Sequence, residues 1–293
     1  MQEVRTSRTH KIEKDMTPEL QKKVDQAIKL LQVSAGDDVV EVSYSGGKDS
    51  DVILELAHMS GIKYRAIYKN TTIDPPGTIK HCKDNGVEVM KPKTTFLKLV
   101  QKKGMPTRRA RFCCEVLKEY KVLDKAVQGI RRSESTARSK RYTEQEPVIC
   151  RIYGSKKNHV NVILPILSWT DNDVTEFIAN RGIKCHPLYY DEQGQFHAER
   201  RLGCIGCPLK SDAGRADYKA YPKLFYQVVK QSKAWFDSNP HIKSHKKFGS
   251  IYGLLAHNLF YRSYAEWQAD DNNLFGRRDW KAYLEDYFKI TLP

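Results

Sequence analysis

The chain has 293 residues, enough for one large domain or two small ones with a sizeable core. At 40% hydrophobic and 29% charged, with no run near the roughly 18 apolar residues of a membrane span, it reads as globular and no membrane partner is expected. Its 50 Lys and Arg outweigh 35 Asp and Glu, a net charge of +15 that favours anionic partners, nucleic acid among the candidates.

The opening "MQEVRTSRTHKIEKDM" is polar, so residues 1–16 read as a loosely held arm; it lacks the apolar core of a secretory signal, which points to the cytoplasm. "TPELQKKVDQAIKLLQ" follows with Thr17 as N-cap, Pro18 in the first turn, and Leu20, Val24, Ile28 and Leu31 at helical spacing. "DDVVEVSYS" predicts a buried strand, and "DSDVILELAHM" a helix. "IKYRAIYKN" and "VEVMKP" predict two more strands, separated by the turn-rich "TTIDPPG". "FLKLVQKKG" predicts a helix closed by Gly104, and "CCEVLKEYKVLDKA" another that feeds a fourth strand at "VQGIRR". "NVILPIL" predicts the fifth strand and "SWTDNDVTEFIANRG" a capped helix. Strands alternating with helices indicate an α/β fold with a doubly wound, mostly parallel sheet over residues 17–214. From 215 to 293 the pattern is helical and aromatic-rich, predicting a helical extension. Seven cysteines in a chain without an export signal suggest metal ligation or redox work rather than disulfides.

Where the first strand stops stands "YSGGKDSD", residues 44–51. Gly46 and Gly47 let the backbone approach a ligand closely, and the first N–H groups of the following helix have no internal partners. The helix dipole adds to the attraction for an anion. Lys48 brings a charge, while Ser45 and Ser50 bring hydroxyls. The spacing is not the Walker pattern, which needs four residues between its glycine and the Gly-Lys pair.

The stretch resembles the PP-loop of ATP pyrophosphatases and of the phosphoadenylylsulfate reductase family. "GIRRSESTAR", Gly129 to Arg138, is similar to that family's arginine segment, and "PILSWTDNDV" and "HPLYY" follow in the family's order, so the resemblance spans residues 38 to 210. It implies an adenine nucleotide alpha hydrolase-like fold and chemistry at the α-phosphorus of ATP or of an adenylylated substrate. By this resemblance Ser45, Gly46, Gly47, Lys48, Asp49, Ser50 and Arg138 would bind nucleotide. Lys48, Ser50, Arg131 and Arg132 would act in catalysis with Mg²⁺ on the phosphates, Asp49 either positioning the metal or capping the helix.

Cys113 and Cys114 are adjacent, and Cys204 and Cys207 form C-x-x-C. Four thiolates suit zinc or an iron–sulfur cluster by ligand count. Neighbouring helical side chains diverge by about 100°, an awkward bite for a compact zinc tetrahedron. Together the pairs resemble the adenylylsulfate reductase signature, which implies a 4Fe-4S cluster. Reductases of the family use a further cysteine in a C-terminal tail, and no cysteine follows Cys207 here; Cys185, beside His186, is the substitute to test. The features are most similar to DNA phosphorothioation ATP pyrophosphatases. That resemblance implies adenylylation of an acceptor, a DNA backbone phosphate, for sulfur incorporation, with a donor such as a cysteine desulfurase. The alternatives are adenylylsulfate or phosphoadenylylsulfate reduction and a non-catalytic nucleic-acid-binding module.

Overall fold

The computed structural model describes residues 16–142, 147–153, 158–273 and 276–293. In chain order the elements are α1 Pro18–Ala35, β1 Val40–Tyr44, α2 Lys48–Met59, β2 Tyr64–Lys69, α3 Thr78–Asp84, β3 Glu88–Met90, α4 Phe96–Lys103, α5 Phe112–Leu117, β4 Lys125–Val127, α6 Thr136–Arg141, β5 Val148–Tyr153, β6 Asn158–Ile163, α7 Asp171–Asn180, α8 Arg215–Ala220, α9 Pro222–Asp237, α10 Lys243–Phe248, α11 Ile251–Phe260 and α12 Tyr264–Asp271, with a last helix at Trp280–Phe288. They form two compact units. The first takes the chain to Lys69, Pro76–Lys91 and Glu119–Leu202; the second takes Asn70–Pro75, Pro92–Lys118 and Gly203–Pro293.

The first unit is α/β. Its six strands run in the order β3-β2-β1-β4-β6-β5, every pairing parallel except β5 with β6. Adjacent residues face opposite sides of the sheet. Val127 and Ile163 join the core containing α1, α2 and α7, whereas Ala126 and Val162 join a separate cluster with Tyr142 and Val160. In α1, Leu20, Val24, Ala27, Leu31 and Ala35 form the buried face, and Thr17 Oγ1 accepts from the Leu20 N–H. The order reverses at β1, which pairs with β2 on one side and β4 on the other. In open α/β sheets such a reversal opens a crevice beyond the strand ends, where ligands bind.

Three local expectations change. The helix begun at the cysteine pair ends at Leu117, where its C-cap Lys118 leaves helical geometry at φ −121°, and Lys121 further on adopts a left-handed φ of 49° that keeps the helix from resuming. The fourth strand therefore lies at Lys125–Val127, and Gly129 has left the sheet. A sixth strand, β5, joins as an antiparallel edge beside β6.

The second unit is helical. Tyr218, Phe225, Phe236, Trp267, Trp280 and Phe288 are buried together with aliphatic side chains of α4, α9 and α11. Cys113 and Cys204 pack against this core. Among the described residues no helix is long and apolar enough to cross a membrane.

Candidate functional site

The glycine turn lies at the carboxyl end of β1, on the reversal of the sheet. Gly46 has φ 80°, and Gly47 is the N-cap of α2 with no side chain to occupy the cap position. Both are tightly enclosed: a Cβ on Gly46 would stand 3.0 Å from Thr78 Cγ2 and 3.2 Å from Leu202 Cδ2. One on Gly47 would stand 3.3 Å from the Tyr189 hydroxyl. Ser50 Oγ donates to the Gly47 carbonyl at 2.6 Å, and Ser45 Oγ lies 3.3 Å from Ser50 Oγ. Lys48 is buried, its ammonium 3.3 Å from Asp49 Oδ2 and 5.7 Å from the centre of the Tyr189 ring. Burial pushes the Tyr189 phenol up to about 12, so it remains a neutral support for the loop.

The segment after β4 meets the loop. A Cβ on Gly129 would fall 2.7 Å from the Asp49 carbonyl oxygen, so the first glycine of "GIRRSESTAR" permits a close backbone approach. Arg131 is 1% exposed, and most of its donors are spent on the protein itself. Nε donates to Asp49 Oδ1 at 2.6 Å, Nη2 to Asp171 Oδ1 at 2.7 Å, and Nη1 to Ser133 Oγ at 2.9 Å. Arg131 thus ties β1's loop to the start of α7. Both Asp49 oxygens lie against cations, so the loop presents amides and ammonium rather than a free carboxylate for Mg²⁺. Arg132 donates its backbone N–H to the Leu167 carbonyl, and its buried Nε has no hydrogen-bond partner among the described residues. Arg138 pairs with Glu134.

Beneath the loop lies a polar network that sequence reasoning missed. Asp51, in the first turn of α2, is buried; its Oδ1 accepts from the Tyr44 hydroxyl and sits 3.0 Å from His81 Nε2. Tyr44 ends β1, so the two arms of the loop are fastened through one carboxylate. Burial raises the Asp51 carboxyl above the usual carboxylate range, against the opposing pull of His81. Cys185 is buried there too, its thiol pushed up by burial and by Asp51, which makes it a poor nucleophile.

His186 closes the network. Its Nδ1 accepts from the Leu188 N–H at 3.2 Å and its Nε2 lies 3.4 Å from Thr78 Oγ1. Burial, then the charge of His81, holds the His186 imidazole below its ordinary range. The neutral ring is therefore preferred in the fold, and its contribution is complete above the ordinary value of 6.5 and lost as pH falls through the lower folded value. Protonating Nδ1 removes its capacity to accept from Leu188, worth about 1 kcal/mol. Thermal melts from neutral to mildly acidic pH should show the native protein losing stability faster than His186→Asn. Parallel pH profiles would refute this.

The four cysteines lie in the second unit. Cys113 and Cys114 open α5, and the N–H of Cys207 donates to the Cys204 carbonyl at 3.3 Å. The Cys113 thiol is raised by its hydrogen bond with Cys114, by burial, and by the nearness of Cys114, Cys204 and Cys207. Cys204 Sγ donates to Thr71 Oγ1 at 3.5 Å and Asp74 Oδ1 at 3.6 Å. Lys118 is exposed in surface area, yet its ammonium is crowded by protein. Burial opposes its charge, but Cys204, Asp74 and Cys114 outweigh that and raise it. Among the described residues, no group of three or more His, Cys, Asp or Glu is arranged to hold a metal ion. Four cysteine thiols are the donor type that thiolate-held clusters use.

These features define an α/β protein with a glycine-rich turn opening a helix at the sheet's switch point. The family model described as the phosphoadenosine phosphosulfate reductase domain matches residues 40–210, and the chain belongs to that nucleotide-using family. It is similar to an uncharacterized 37.8 kDa protein of Escherichia phage 186, at 35% identity over 136 residues, 41% of this chain and 37% of that protein. The chain therefore spans little more than a third of that curated relative's length in the matched region. Among solved structures, a phosphoadenylyl-sulfate reductase from Candida auris has a TM-score of 0.44 at 14% identity, covering 66% of this chain and 97% of that one. An FMN adenylyltransferase from Candida glabrata has a TM-score of 0.42 at 14% identity, covering 64% and 62%.

Proposed function

We propose that the chain is an ATP pyrophosphatase that activates a nucleic-acid backbone phosphate, DNA in the first instance, for sulfur incorporation. The observation that carries the reading is the loop at the β1 end, where Gly46, Gly47, Lys48 and Ser50 converge on the reversal of a parallel sheet. The acceptor oxygen forms a bond to the α-phosphorus, the bond from that phosphorus to the bridging oxygen breaks, and pyrophosphate leaves with the electron pair. A sulfur nucleophile at the sulfide level, supplied by a partner such as a cysteine desulfurase with a thiol reductant, then displaces AMP from the activated phosphate. Ser45, Lys48, Ser50 and the loop amides would hold the triphosphate, and Arg132 would offset its charge. Arg131 and Asp49 would act by positioning the loop.

Cys113, Cys114, Cys204 and Cys207 would hold a 4Fe-4S cluster. When bound, such a cluster supplies redox-active iron and a concentrated local charge.

Pyrophosphate release from ATP by anaerobically purified protein, with and without DNA, tests the reading. Lys48→Ala and Ser50→Ala should each lower it by about tenfold or more, the worth of one charge-assisted hydrogen bond. Protein that neither binds nor cleaves ATP would overturn it. The family match favours a second reading, sulfonucleotide reduction, and sulfite release from adenylylsulfate or phosphoadenylylsulfate would establish that one instead.

A further inference from the structure

Two guanidinium groups converge on a single residue near the phosphate loop. Arg138, on α6, pairs with the Glu134 carboxylate, while Nη2 of Arg201 donates to the Glu134 backbone carbonyl. The same Glu134 carboxylate also accepts from the Arg131 N–H at 3.2 Å. Lys48 and Arg131 share the Asp49 carboxylate, and Asp171 is added for Arg131, so those two cations meet two carboxylates. Arg138 takes the Glu134 carboxylate and Arg201 only its backbone carbonyl, so among the described residues these two cations have one paired carboxylate between them. Each guanidinium carries five N–H donors in a planar fork and spends few of them here. Arg201 is exposed and the Arg138 side chain is 41% exposed, which leaves those forks open to a ligand. Arg200, next in the chain, is turned the other way, onto the Leu188 and Tyr190 carbonyls. Burial, and next the nearby Arg201 charge, hold Arg138 below its usual range.

We propose that Arg138 and Arg201 form a second anion subsite, separate from the glycine loop, which grips a backbone phosphodiester of the nucleic-acid acceptor. The inference rests on the acceptor reading above. Planar guanidinium forks match tetrahedral oxyanions by paired hydrogen bonds. A polyanion is favoured over an isolated small ester because the cations continue along α6, where Lys140 and Arg141 follow Arg138 in the last turn.

Fluorescence anisotropy with labelled single-stranded and duplex oligonucleotides tests the subsite, with AMPCPP and adenosine 3′,5′-bisphosphate as small-molecule arms. Arg201→Ala should weaken oligonucleotide binding about tenfold and reduce the salt slope by about one, while Arg201→Lys should recover part of the loss. The loss for AMPCPP should be at least about threefold smaller than for the oligonucleotide. An unchanged oligonucleotide affinity overturns the subsite, and so does an equal loss of AMPCPP. Weakened bisphosphate binding with intact oligonucleotide binding overturns the assignment to nucleic acid. Lys48→Ala in the same assays keeps the two claims apart. If it leaves AMPCPP binding intact, the nucleotide-loop reading fails; if Arg201→Ala alone has no effect, only the subsite fails.

Discussion

Arg131→Ala should destabilise the fold by about 3–5 kcal/mol, measured by urea unfolding, even though arginine is usually a surface residue. The side chain is 1% exposed and bonds to two carboxylates, one hydroxyl and the neighbourhood of the Trp169 carbonyl. Removing it leaves Asp49 with one carboxylate oxygen facing protein and no guanidinium. Most of the loss belongs to that partner, whose side chain is 17% exposed; Asp171 is 59% exposed and its share is screened by water. Two further variants separate charge from shape. Arg131→Lys keeps the charge but cannot span Asp49 and Asp171 together, so it should recover only part of the stability. The double variant Arg131→Ala with Asp49→Asn should be less destabilised than the sum of the two single changes, because the stranded charge is gone. A loss under about 1 kcal/mol, or additive single changes, would mean that water reaches the pair and that Arg131 is not a buried fastener.

This residue also marks where sequence stops being informative. "SGGKDS" and "GIRRSESTAR" are local strings, and each fixes the backbone around it, so both could be placed beside strands from the sequence. That Arg131 turns inward depends on Asp49, 82 positions away, and on Asp171. A guanidinium facing a ligand and one facing a carboxylate look identical in a string of letters. The Tyr44–Asp51–His81 network is hidden for the same reason, since His81 lies 30 positions from Asp51. Its helix α3 also escaped notice: it has seven residues, and its N-cap is Gly77 at φ 90° rather than a Ser, Thr, Asp or Asn. The alternation of β1, α2 and β2 was legible because apolar periodicity there is strong and tertiary contacts agree with it. After Leu117 they disagree. Val122 and Leu123 continue a helical spacing, yet Lys121 turns left-handed and the chain enters the sheet at Lys125.

Gly206→Ala should prove comparably harmful, although it adds a single methyl group inside "GCIGC". Gly206 has φ 69°, where an alanine is disfavoured by about 1–2 kcal/mol. Its added Cβ would also fall 2.1 Å from Cζ and 2.3 Å from the hydroxyl oxygen of Tyr218. That ring is fully buried against Phe225, with centroids 4.8 Å apart, and cannot swing away. Overpacking of this kind adds about 1–3 kcal/mol, giving an expected loss of about 2–5 kcal/mol. The N–H of Gly206 donates to Asp217 at 2.7 Å, so the chain cannot relax without giving up that bond as well. The turn between Cys204 and Cys207 would then shift against Cys113 and Cys114, and on the proposed cluster reading bound iron and acid-labile sulfide after anaerobic purification should fall together with the melting temperature. Gly203→Ala is the matched control, one residue before Cys204, with open space around its Cβ and no left-handed φ. It should change stability by less than about 0.5 kcal/mol and leave the iron content intact. Equal losses in the two variants would show that the C-x-x-C turn tolerates neither side chain for reasons other than Tyr218. Iron retained in a destabilised Gly206→Ala would show instead that the turn's shape does not govern the thiols.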